Sequence, residues 1–127
     1  MVMITGGAYQ GKIAYVMRNL GVAESNITDG SVCDLKELKN ARCIRNYHEL
    51  VKRIGEDCID FTKELCRDNP DCIIIIDEIG CGIIPLEKCE RVWRENVGRC
   101  GCIIASASET VVRVVCGVPS VIKDVTS

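Results

Sequence analysis

Apolar residues fall along this chain in two patterns. Short apolar runs at residues 2–4 and 72–76, and the β-branched stretch at 110–116 interrupted by Arg113, are too brief for helices and rich in Ile and Val, as strands are. Longer stretches repeat apolar residues at three- and four-residue steps. Ile13, Val16, Met17 and Leu20 predict a helix starting at Lys12 and stopping at Gly21. Leu50, Val51, Ile54, Cys58, Phe61 and Leu65 predict one continuous helix that ends at Asn69-Pro70. Leu86, Cys89, Trp93, Val97, Cys100 and Ile104 mark another buried stripe, with Pro85 placed to open its helix. Between these, Ile27 and residues 41–44 read as short strands, Asp34 and Asn46 as helix caps, and residues 120–123 as a short closing run.

The four isoleucines at 73–76 show no alternation, so both faces of that strand should be buried, as in a central parallel strand. Strands alternating with helices predict a single domain over residues 1–127. Its fold class is α/β, a three-layer P-loop NTPase-like fold with a mostly parallel sheet.

Candidate chemistry sits where apolar runs end. The first strand breaks at Gly6-Gly7, and Gly6, Gly11 and Lys12 fit the phosphate-binding spacing G-x-x-x-x-G-K between a strand and a helix. Glycine lets backbone N–H groups turn toward phosphate oxygens, while lysine and the helix N-terminus supply positive charge. The nucleotide-binding residues are thus Gly6, Gly7, Ala8, Tyr9, Gln10, Gly11, Lys12 and Ile13. Ile13 stands where such loops carry a Ser or Thr whose hydroxyl binds Mg²⁺. Asp77 and Glu78 close the isoleucine strand, the end at which ligands bind in open α/β sheets. Asp77 is the candidate metal residue and Glu78 the group to orient a nucleophile. A strand leaving into a polar turn also explains an Asp-Glu pair, and coupling to the loop at Gly6 gives this one its weight. Arg91, Arg94 and Arg99 share a helix with Glu87, Glu90 and Glu95, so local ion pairs account for that face. Arg94 is retained as a candidate phosphate or substrate contact.

Net charge is −2 and basic residues form no block, which argues against a nucleic-acid partner. No signal peptide is evident and the longest apolar run is too short to cross a bilayer, so a cytoplasmic protein without membrane partners is expected. The ten cysteines form no C-x-x-C pair and have no paired His ligands, and they read as buried packing residues in a reducing compartment. His48, the single histidine, reads as a partly exposed residue in a first helical turn. A homo-oligomer is compatible with the sequence.

Several of these stretches resemble the adenosylcobinamide kinase / adenosylcobinamide-phosphate guanylyltransferase family of cobalamin biosynthesis. The Gly-Gly-x-x-x-Gly-Lys loop at Gly6 to Lys12 is similar to that family's opening motif. Residues 77–85, Asp-Glu-Ile-Gly-Cys-Gly-Ile-Ile-Pro, resemble its N-E-V-G-x-G-I-V-P signature, and residues 91–99 its R-x-x-R-D-x-x-G-R run. The closing Val-Cys-Gly-Val-Pro-Ser-Val-Ile-Lys is similar to the family's last strand. The resemblance covers about half the chain and implies transfer of the γ-phosphate of ATP or GTP, with Mg²⁺, to the aminopropanol hydroxyl of a corrinoid, adenosylcobinamide. On that reading Lys12, Asp77, Glu78 and Arg94 are the catalytic residues. The sequence departs from the family at Ile13, at Asp77 in place of Asn, and at Cys100-Gly101 in place of an Asn-Gln pair. The family's middle segment, whose histidine carries the guanylyl group, is not matched. Two alternatives therefore stand beside the kinase: a nucleotide- or corrinoid-binding relative without transferase activity, and an unrelated small phosphate-loop NTPase.

Overall fold

The computed structural model describes residues 1–79 and 87–125. Six strands form one sheet: β1 (Val2–Gly6), β2 (Ile27–Asp29), β3 (Cys43–Arg45), β4 (Ile73–Asp77), β5 (Thr110–Val115) and β6 (Val118–Asp124), in the order β2-β3-β4-β1-β5-β6. The five strands from β2 to β5 run parallel, and β6 returns antiparallel at the edge. Helix α1 (Lys12–Asn19) covers one face; α2 (Tyr47–Ile54), α3 (Cys58–Asp68) and α4 (Lys88–Ala107) cover the other. This is the three-layer α/β arrangement of a P-loop NTPase-like fold.

Strand β4 shows why the isoleucine run lacks alternation. Ile73 and Ile75 join the cluster under α1 with Ile4, Val16 and Val112, while Ile74 and Ile76 join the larger cluster under α2–α4 with Leu50, Val97, Cys100 and Ile104. Side chains alternate between faces of a strand, so a strand buried on both sides must be apolar at every position.

Three expectations needed correction. The long helix expected through Leu50 and Leu65 is two helices, because Gly55 takes φ +75 and closes α2 before a 3₁₀ turn at Gly55–Asp57 leads into α3. Both halves keep their apolar stripes on the same cluster, so periodicity alone could not reveal the break. Asn46 does not cap α2 with its side chain; it lies in the left-handed region at φ 57 and its amide donates to Asp29 instead. The cysteines also divide. Cys43, Cys58, Cys72 and Cys100 are buried, but Cys89, Cys102 and Cys116 are exposed. Pro85 and the run at residues 80–86 lie outside the described residues. No helix among the described residues is long and apolar enough to cross a membrane.

Candidate functional site

The site begins with a register. β1 lies between β4 and β5, and Gly6 pairs with Asp77, so the start of the phosphate loop and the first carboxylate leave the sheet side by side. Gly6 cannot be replaced by a larger residue, because a Cβ there would run into the Val114 carbonyl on β5. The loop between Gly6 and α1 has positive φ at Tyr9 (58) and Gly11 (93), and Gly11 leads directly into the helix. Gln10 ties the loop to the β5–β6 turn: its side-chain oxygen accepts from the Cys116 N–H at 2.6 Å, and its carbonyl accepts from the Gly117 N–H at 2.9 Å.

Lys12 lies in the first turn of α1 and is only 6% exposed. Its ammonium donates to the Gly7 carbonyl at 2.5 Å and lies 2.7 Å from Asp77 Oδ1. The second oxygen of Asp77 lies 3.4 Å from His48 Nε2, while His48 Nδ1 accepts the backbone N–H of Asp77 at 3.1 Å. His48 is 7% exposed, which corrects the expectation of a surface histidine. Its position just past the end of β3 brings it to the ligand-binding edge of the sheet, beside β4. Burial lowers its pKa, and the Lys12 charge adds to that; the Asp77 and Glu49 carboxylates pull the other way and are outweighed.

These groups line one open cavity of about 790 Å³, together with residues 8–14 of the loop, Ser31, Arg45, Asn46, Glu49 and Ile75. The structure therefore brings Lys12, Asp77 and the loop residues Ala8, Tyr9, Gln10, Gly11 and Ile13 to one place. Glu78 does not line this cavity. Its carboxylate is gripped by the Arg113 guanidinium, with Nε to Oε1 at 2.7 Å and Nη2 to Oε2 at 3.0 Å, and its backbone N–H donates to the Gly6 carbonyl. Arg94 is also elsewhere. It lines a depression on the α3–α4 face with Lys63, Arg99 and Cys102.

Sequence reasoning missed His48, Ser31, Arg45, Asn46 and Glu49. The available signal was position: Arg45 ends a short apolar strand and residues 46–49 follow it directly, as Asp77 ends β4. Asp77 is the one residue of the cavity floor beside the loop that could hold a magnesium ion, and the described residues form no metal-binding cluster of three His, Cys, Asp or Glu side chains there. Oδ1 faces Lys12 and Oδ2 faces His48 Nε2, so a metal-bound water would share Oδ2 with His48; Mg²⁺ is commonly held by one carboxylate with phosphates and waters supplying the rest. Ile13 contributes no oxygen.

A glycine-bearing loop feeding a helix, with a buried lysine beside the carboxylate that closes the neighbouring strand, defines a P-loop nucleotide-binding protein. The family description "Cobinamide kinase / cobinamide phosphate guanyltransferase" matches residues 33–122, most of the chain, and the chain belongs to that family. Its role is of the cobinamide kinase / guanyltransferase type, in cobalamin biosynthesis, with nucleoside triphosphates as co-substrates. The match includes Asp77, Glu78 and His48 and begins after the phosphate loop. No curated protein matches the chain.

Proposed function

We propose that this chain carries the kinase activity of its family: transfer of the γ-phosphate of ATP or GTP to the aminopropanol hydroxyl of adenosylcobinamide. The observation that supports it is the Lys12 ammonium held between the Gly7 carbonyl and Asp77 Oδ1 at the mouth of the phosphate loop. A buried ammonium with one carboxylate partner can exchange that partner for the β- and γ-phosphates, whose charge it then offsets. In this reading residues 7–11 cradle the phosphates through backbone N–H groups. Asp77 would hold Mg²⁺ through water, and the ion would supply charge neutralisation for the phosphoryl group. Glu78 enters the acceptor side only in a state in which its carboxylate leaves Arg113. The remaining width of the cavity, toward Arg45 and Glu49, takes the acceptor. The protein works in the cytoplasm on this reading.

Two observations favour a second reading, nucleotide or corrinoid binding without transfer. Ile13 removes the hydroxyl that normally completes the metal site, and Arg113 occupies Glu78. One assay separates the two. The chain is incubated with ATP or GTP labelled in the γ-phosphate, Mg²⁺ and adenosylcobinamide. Label transferred to the corrinoid supports the kinase; nucleotide binding without transfer or turnover refutes it in favour of the binding protein.

A further inference from the structure

We propose that Glu49 is the catalytic carboxylate on the acceptor side of the cavity, taking the proton of the hydroxyl that receives the γ-phosphoryl group. This role rests on the kinase reading above and gives it the acceptor-side group that Glu78, as placed, does not supply.

Phosphoryl transfer to a hydroxyl calls for a carboxylate within hydrogen-bond reach of the attacking oxygen. Among the described residues, two carboxylates line the cavity beside the phosphate loop, Asp77 and Glu49. Asp77 is engaged at both oxygens, by Lys12 at 2.7 Å and by His48 Nε2 at 3.4 Å. Glu78 lies outside, gripped by Arg113. Glu49 already stands in the cavity and needs no rearrangement to serve.

The ordinary structural account of Glu49 does not cover its surroundings. A glutamate in a first helical turn usually pairs with cations three and four residues on. On α2 those cations are Lys52 and Arg53, and both are turned elsewhere. The Lys52 ammonium lies over the Trp93 ring, 5.0 Å from its centroid. The Arg53 guanidinium donates to the Gly30 carbonyl at 2.7 Å and to the Cys33 carbonyl at 2.9 Å. Among the described residues the Glu49 carboxylate has one polar contact, Oε1 at 4.0 Å from His48 Nε2, and the side chain is 41% exposed. The positive end of α2 favours a negative charge on this turn, but it does not require a carboxylate left open to the cavity.

His48 sets where that carboxylate stands. Its Nδ1 is fixed on the Asp77 backbone N–H, so its Nε2 edge faces Asp77 on one side and Glu49 on the other. One imidazole thus separates the carboxylate beside the phosphates from the carboxylate beside the acceptor. β3, which leads into α2, lies two strands from β1, so the two sides of the cavity stand about 10 Å apart. That width takes a γ-phosphoryl group over Lys12 and one hydroxyl between it and Glu49, with the reacting atoms about 3 Å apart. In the step, an electron pair of the hydroxyl oxygen forms the new O–P bond. The bond from the γ-phosphorus to the bridging oxygen breaks, and the nucleoside diphosphate leaves with that pair. The hydroxyl proton passes to Glu49, which releases it to water after the product departs.

The test uses the full chain with ATP or GTP labelled in the γ-phosphate, Mg²⁺ and adenosylcobinamide. Glu49→Gln keeps the size of the side chain and removes its basicity. It is expected to lower transfer at least about a hundredfold, while nucleotide affinity stays within about threefold of the parent. Glu49→Ala should behave in the same way. Transfer by Glu49→Gln within about tenfold of the parent overturns the proposal and leaves the kinase reading standing. A loss of transfer matched by an equal loss of nucleotide affinity also overturns it, because Glu49 would then hold the site together without taking the proton. Absence of transfer by the parent chain removes the kinase reading and this role together, so the parent's own activity tells the two failures apart.

Discussion

His48 accepts the backbone N–H of Asp77 through Nδ1 at 3.1 Å, and this one bond sets the chemistry of the ring. A neutral imidazole has one acceptor nitrogen and one N–H. With Nδ1 committed as acceptor, the proton sits on Nε2, the nitrogen nearer the Asp77 and Glu49 carboxylates.

This tautomer bears on guanylyl transfer. A histidine nucleophile must present an unprotonated nitrogen in line with the α-phosphate, and the unprotonated nitrogen of His48 is turned onto the Asp77 backbone. Incubation with labelled GTP and Mg²⁺ should leave no acid-labile GMP on the protein. A GMP adduct that disappears in His48→Asn would show that the ring turns and that this chain carries guanylyl transfer through His48.

The same bond predicts a pH dependence. Burial, aided by Lys12, lowers the His48 pKa below its ordinary 6.5. The unfolded chain therefore takes up this proton at higher pH than the folded chain does. Stability from keeping His48 neutral is whole above that ordinary value and is lost as pH falls below it toward the folded pKa. His48→Asn keeps an acceptor for the Asp77 N–H and removes the titration. Denaturant melts from about pH 7.5 to about pH 5 should show a shallower loss for the variant than for the parent. Equal slopes would exclude His48 as the group responsible.

Lys12→Ala should act twice. It strands the Asp77 carboxylate, which is 20% exposed, and should cost about 1 kcal/mol of stability without ligand. It should also remove the nucleotide-induced rise in melting temperature, which corresponds to about 2.7 kcal/mol at a hundredfold excess over Kd in the parent. A variant that responds to nucleotide as fully as the parent would refute the phosphate loop.

The cysteines should report the fold through their reactivity. A thiol reagent should label Cys89, Cys102 and Cys116 in the native protein. Burial pushes the thiols of Cys43, Cys72 and Cys100 up to about 12, so these should react only after denaturation. Mass mapping of labelled peptides checks both halves. Native labelling of Cys72 would mean that the cluster around β4 opens far more readily than its packing implies.

The sequence by itself determined the alternation of strands and helices apart from the break at Gly55, the glycine loop between β1 and α1, and the place of Asp77 at the end of β4. Each depends on local chemistry: an apolar run, a glycine turn, a helix start and a carboxylate at a strand's end. It could not place Glu78 beside Arg113, because that pair joins β4 to β5 across β1 and is separated by 35 residues. Nor could it bury His48, whose own turn, between Tyr47 and Glu49, looks like any amphipathic helix start. Pairing between β3 and β4 put His48 beside Asp77, and packing of α4 on α3 carried Arg94 to the α3–α4 face. A side chain's burial and partners depend on which elements pack around it, and those neighbours come from distant parts of the chain that no local pattern records.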